Sequence, residues 1–140
     1  QLQLKAAAQI TQYRLSTSSS NSIISTIASP DVTLGASYFI PKAEIGVTIT
    51  YKYTGIKPLY GVNSSYQTGT RDAYHWLDIS VTRNFWKDRI QLTVGGKNLI
   101  DVTNVGTDNS SGIGHNFGGT STNIGWGRTF FTSLVFHFSK

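Results

Sequence analysis

Hydrophobic and polar residues alternate with a period of two along most of this chain, and helical spacing is nearly absent. Across residues 44–54, Ile45, Val47, Ile49, Tyr51 and Tyr53 fall on one side. Glu44, Gly46, Thr48, Thr50, Lys52 and Thr54 fall on the other. Successive side chains of a strand point to opposite faces, so this segment has one apolar face and one wet face. Just before it, Val32, Leu34, Ala36, Tyr38 and Ile40 alternate with Asp31, Thr33, Gly35, Ser37 and Phe39, and only Pro41-Lys42-Ala43 stands between the two strands. A second hairpin sets Leu77, Ile79 and Val81 against Ile90, Leu92, Val94 and Gly96, joined by a short turn at Trp86-Lys87-Asp88-Arg89. A last strand puts Phe130, Thr132, Leu134, Phe136 and Phe138 on one face, and a first strand does the same with Leu2, Leu4, Ala6, Ala8 and Ile10. The phase of that first strand is lost near Tyr13, where a bulge or the strand's end is expected.

The pattern therefore predicts six antiparallel strands and an all-β fold. Their connections are sorted by length. Those at 41–43 and 86–89 are tight, whereas those at 16–30, 56–71 and 102–126 are long, polar and rich in Gly, Ser, Thr and Asn. Long and short alternate strictly. A transmembrane β-barrel has short turns at its periplasmic end and long loops outside, and a soluble sandwich has no reason for such sorting. Strands of about ten residues also suit a tilted crossing of the hydrocarbon layer. Tyr38, Tyr51, Tyr53, Phe85, Trp86, Phe136 and Phe138 lie near strand ends, where interfacial aromatic girdles sit.

Composition narrows the field. Charged residues make up 14% of the chain, below the roughly 25% of soluble domains. The net charge is +5, yet the twelve Lys and Arg are scattered from Lys5 to Lys140 and form no stripe, so nucleic acid is not an expected partner. The absence of cysteine excludes disulfides and thiolate metal sites. No apolar run reaches the ~20 residues of a membrane helix. There is no methionine, even at position 1. Six strands fall short of the eight that close the smallest barrels. Residues 1–140 are accordingly expected to be one part of a larger barrel domain.

From Tyr74 onward a family resemblance emerges. Leu77-Asp78-Ile79-Ser80, a basic turn, Leu92-Thr93-Val94-Gly95-Gly96 and then Lys97-Asn98-Leu99-Ile100-Asp101 resemble the close of a TonB-dependent outer-membrane receptor. After a long loop come Gly127-Arg128-Thr129-Phe130 and an aromatic-rich end with Phe136-His137-Phe138. Tyr51-Lys52-Tyr53-Thr54-Gly55 adds to the likeness, which covers about the last two thirds of the chain. Ile100 stands where an aromatic is usual, and Ser139-Lys140 follow the terminal aromatic. The resemblance implies the C-terminal part of a plugged barrel of about 22 strands. It implies active transport of a scarce nutrient (an iron-siderophore, haem, cobalamin or glycan) across the bacterial outer membrane. The partners implied are outer-membrane lipid, the remaining barrel and plug, a TonB complex reached through that plug, the small-molecule nutrient and a surface lipoprotein. No resident cofactor is implied.

Candidate chemistry is sparse. Tyr60, Tyr66, Tyr74, Trp76, Phe117 and Trp126 cluster in or beside the long loops and could stack against a ligand, although rim anchoring explains them equally well. His115 lies in the longest loop with no second His or carboxylate near it in sequence, which reads as a solvated residue rather than a metal ligand. His75 and His137 read as lumen or rim residues. Asp72 and Asp78 are expected to pair with Arg71 or with strand neighbours. The glycine-rich stretch 112–119 lacks the lysine and the helix of a phosphate loop. No constellation supports an enzyme. The rival reading is a soluble β-sandwich used for binding or adhesion.

Overall fold

The computed structural model describes residues 1–15, 25–60, 67–109 and 120–138. Six strands form the main sheet: β1 (Leu2–Leu15), β2 (Ser25–Ile40), β3 (Ile45–Thr54), β6 (Tyr74–Phe85), β7 (Ile90–Lys97) and β10 (Thr129–Phe136), in that spatial order. Every neighbouring pair is antiparallel. These are the six strands that the alternation predicts.

The register brings their apolar positions together. Tyr38, Val47, Val81, Val94 and Thr132 lie side by side across five strands. One level up, Leu4, Ala36, Ile49, Ile79, Gly96 and Phe130 run across all six. A slip of one residue would turn a strand's entire apolar set to the other side, so this alignment fixes the register. The opposite face carries mostly hydroxyls, amides and charges, with Phe39, Trp76, Phe131 and Val135 among them. Ser37 shares a 3.2 Å hydrogen bond with Thr48 across the β2–β3 pair, and Thr82 shares one of 2.9 Å with Thr93 across β6–β7.

Both short turns form where expected. Pro41–Ala43 is one 3-10 turn, closed by Glu44 at φ 52° donating its N–H to the Pro41 carbonyl. At 86–89, Trp86, Lys87 and Asp88 all take positive φ. The turn is braced by Asn84, whose Nδ2 donates to Asp88 Oδ1 at 2.8 Å and whose Oδ1 accepts from Gln91 Nε2 at 3.2 Å.

The long connections are not simply loops. Four more strands occupy them: β4 (Lys57–Tyr60), β5 (Gln67–Arg71), β8 (Asn104–Asn109) and β9 (Thr120–Asn123), forming a second sheet in the order β4-β5-β8-β9. Each continues a strand of the main sheet, since β3 leads into β4, β5 into β6, β7 into β8 and β9 into β10. The spatial order is therefore inherited, and the second sheet prolongs the first beyond one common break. These strands are only four to six residues long and show no clear apolar alternation, so the sequence pattern passes over them, while pairing with a continuing neighbour supplies their backbone hydrogen bonds. At the other end of the sheet, β1 pairs with β2 in unbroken register as far as Leu15↔Ser25, so neither a bulge nor the strand's end falls at Tyr13.

Burial is inverted relative to a soluble fold. Among the described residues the only buried hydrophobic side chain is Val105, while Leu4, Ile10 and Phe130 are 70%, 70% and 74% exposed. Ser29, Thr54, Asn98 and Thr107 are buried instead. Among the described residues no second layer covers the apolar face.

Candidate functional site

The break between the two sheets gathers most of the residues that the sequence singles out. At the end of β7, Asn98 is 1% exposed and takes φ 54°, a left-handed conformation that asparagine tolerates better than most residues. Its backbone N–H donates to Asp78 Oδ1 at 2.9 Å. Its side chain then closes a ring on the following turn, with Nδ2 donating to the Val102 carbonyl at 2.9 Å and Oδ1 accepting from the Val102 N–H at 3.0 Å. Leu99 donates its N–H to the Leu77 carbonyl at 2.8 Å, so the turn stays sewn to β6.

Asp101 reaches across to the strand that follows the longest connection. Its Oδ1 accepts from the Arg128 N–H at 3.1 Å, and its Oδ2 lies 3.5 Å from the Arg128 guanidinium. Gly127 sits between them at φ 79°, and a Cβ there would meet Asp101 Oδ1 at 3.0 Å. Lys97 adds its ammonium over the Phe131 ring at 5.6 Å. Lys97, Asn98, Leu99, Asp101, Gly127 and Arg128, about thirty positions apart in two groups, thus form one clamp between β7 and β10. Phe136 and Phe138, whose rings stack at 6.4 Å, lie at the opposite end of β10 and belong to a different level.

On the polar face, just below the break, a second cluster joins β2, β3, β4 and β5. Lys57 Nζ lies 3.1 Å from Asp31 Oδ2. Asp31 is the cross-strand neighbour of Thr54, and Lys57 that of Arg71. Arg71 lies over the Tyr74 ring at 5.8 Å. Gly55 is pressed against Pro30, whose carbonyl accepts its N–H at 2.8 Å, so no side chain fits there. Four buried side-chain atoms here have no hydrogen-bond partner: Ser29 Oγ, Asp31 Oδ1, Thr54 Oγ1 and Arg71 Nε. Among the described residues they are the whole set of such atoms.

The expected carboxylate pairings are revised by this geometry. Asp78 holds the Asn98 backbone, and the ion pairs among the described residues are Lys57–Asp31 and Arg128–Asp101. His75 falls on the apolar face, opposite Tyr53, hydrogen-bonded through Nδ1 to the Tyr51 hydroxyl and packed against both tyrosine rings. Of the proposed stacking residues, Trp126 is 99% exposed at the break, and Trp76 lies against Gly125 beside it. Tyr66, His115 and Phe117 lie outside the described residues, as does the side chain of Tyr60. The structure therefore brings Lys97, Asn98, Leu99, Asp101, Gly127 and Arg128 together and places Phe136 and Phe138 apart from them. Ser29, Asp31, Thr54, Lys57 and Arg71 escaped the sequence reading, because no spacing links residues that meet only through cross-strand pairing.

No known protein family matches this chain, and neither the characterised proteins nor the solved structures contain a match to it. Among the described residues no group of three His, Asp or Glu could hold a metal ion, and no helix is long and apolar enough to cross a membrane.

Proposed function

We propose that this chain is a segment of an outer-membrane β-barrel transporter of the TonB-dependent type, moving a small nutrient through a lumen lined by the polar face. The observation that carries the reading is the uncovered apolar face of the six-stranded sheet, with polar residues buried in its place. Soluble monomers rarely expose contiguous apolar patches beyond a few hundred Å². Lipid is the solvent that such a face fits.

Dimensions support it. The Tyr51–Tyr53–His75 cluster and the level of Phe85, Ile90 and Phe136 bound the apolar face above and below. Ten residues of β6 separate His75 from Phe85, about 34 Å along a strand at ~3.4 Å per residue. A tilt of about 40° reduces that to roughly 26 Å, close to the ~25 Å apolar band of outer-membrane barrels. Arg83, on the same face near its lower edge, lies over Phe85 at 4.9 Å, as a cation reaching for the interface would. β1 and β10 end the sheet with unpaired edges among the described residues. In hydrocarbon those edges require partner strands, which belong to the rest of the barrel.

Nitroxide labels at Ile49, Val94 and Leu134, compared with labels at Thr50, Thr93 and Ser133, test the reading in the protein embedded in bilayers. The first set should be relaxed by lipid-soluble oxygen and the second by a water-soluble nickel chelate. Equal response of both sets would refute it and favour a sandwich whose apolar face is covered by protein.

A further inference from the structure

The polar cluster below the break has the composition of an anion site. Lys57 and Arg71 face each other directly across the β4–β5 pair, an arrangement of like charges that destabilises a sheet unless something neutralises it. Lys52 stands on the same face, two residues before Thr54 on β3 and opposite Trp76. Against these three cations the cluster sets one carboxylate, Asp31, whose Oδ2 is taken by Lys57. Asp78, also on this face, is turned to the Asn98 backbone.

The orphaned atoms point the same way. Ser29 is 0% and Thr54 3% exposed, and neither hydroxyl has a partner. The Arg71 Nε–H is buried and unbonded as well. Leaving such a group unsatisfied destabilises the fold, so four in one patch call for an occupant. Three of the four can donate. An Arg fork, two ammonium groups and two hydroxyls form a set suited to carboxylate or phosphate oxygens.

We infer that Ser29, Thr54, Lys57 and Arg71 bind a small multivalent anion, one bearing several carboxylate or phosphate oxygens, and that the transported nutrient carries such groups. Tyr74, already beneath the Arg71 guanidinium, fixes the fork in place. Asp31 orients Lys57 and also opposes the incoming charge, which sets the affinity low enough for release.

The inference rests on the polar face being the wet one, which the label experiment decides independently. Calorimetric titration of the intact, detergent-purified protein with inorganic pyrophosphate supplies the test, with spermidine as the probe of opposite charge. Pyrophosphate should bind saturably and spermidine should not. Arg71→Gln should weaken binding by at least about tenfold, the scale of one charge-assisted hydrogen bond. Lys5→Gln, on the same face but opposite Gly35 and away from the cluster, should leave it unchanged. Asp31→Asn should tighten binding, a gain that a misfolded variant cannot produce. Absence of pyrophosphate binding, or loss of it in Asp31→Asn, overturns the inference and assigns the orphaned atoms to bound water. A polar face shown to be wet, with no anion bound, would defeat this inference alone.

Discussion

Asn98 does at one position what several residues usually share. It takes the left-handed backbone, ties β7 to Asp78 and closes the turn on Val102. Asn98→Ala would leave the Val102 N–H and carbonyl unpartnered and put alanine in a left-handed conformation that asparagine tolerates better. The expected loss is about 1–3 kcal/mol of unfolding free energy, read from the urea midpoint of the bilayer-embedded protein. An unchanged midpoint would mean that water replaces both bonds. Gly95 and Gly96 carry a second lesson at this scale. A Cβ at Gly95 would sit 2.6 Å from the Phe131 ring on one face, and one at Gly96 would sit 3.3 Å from Phe130 on the other. Aromatic rings of β10 thus cover the bare backbone of β7 on both sides. Gly95→Ala should destabilise the protein strongly with Phe131 present and less in the Phe131→Ala background, where the Ile79 carbonyl, 2.9 Å from the same Cβ, still has to shift. The coupling expected from a double-mutant cycle is about 0.5–3 kcal/mol.

At the scale of elements, each strand of the main sheet is amphipathic, and its two faces answer to different solvents. Ile49 lies mid-sheet between Ala36 and Ile79, and Thr50 lies between Gly35 and Asp78 on the opposite face. Ile49→Arg should cost about 2–4 kcal/mol if that level is the bilayer midplane. Thr50→Arg, one residue away, should cost little, since its side chain enters water near Asp78. Comparable costs at the two positions would remove the lipid assignment. The prolonging strands β4, β5, β8 and β9 behave differently, because they are only four to six residues long without clear apolar alternation and their pairing is borrowed from the strands below. The Asp72 N–H still donates to the Gly106 carbonyl at 2.9 Å, and the Ile124 N–H to Thr103 at 3.0 Å, so the ladder is interrupted at the break without being lost.

For the whole molecule, two consequences follow from the open sheet. Half of the β10 amides point away from β7, toward an edge with no partner among the described residues. If a further strand pairs with that edge, as the proposed barrel requires, all eight residues of Thr129–Phe136 should be protected from hydrogen exchange. Rapid exchange at alternate residues would show that the edge is free and the sheet open. The sorting of the connections also sets the topology. On whole cells, protease should reach the side carrying 56–71 and 102–126 and spare the turn at 86–89. The reverse pattern would invert the orientation. In the proposed barrel the polar face would be a lumen wall, with the Lys57–Arg71 cluster just below the break.

The sequence by itself determined the six amphipathic strands, both tight turns and the all-β class, because each is written in neighbouring residues as period-two alternation or turn chemistry. It also marked Lys97, Asn98, Asp101, Gly127 and Arg128 as special, though without a reason. Only the tertiary structure supplied that reason, by bringing Asp101 to Arg128 across twenty-seven positions. It also decided that the short stretches 57–60, 67–71, 104–109 and 120–123 are strands. Backbone pairing depends on which neighbour is present, and no local pattern records that. The cluster of Ser29, Asp31, Thr54, Lys57 and Arg71 belongs to the same class of fact. Its residues come from four strands, and cross-strand register alone sets their adjacency, since charge and hydroxyl spacing along the chain carry no trace of it.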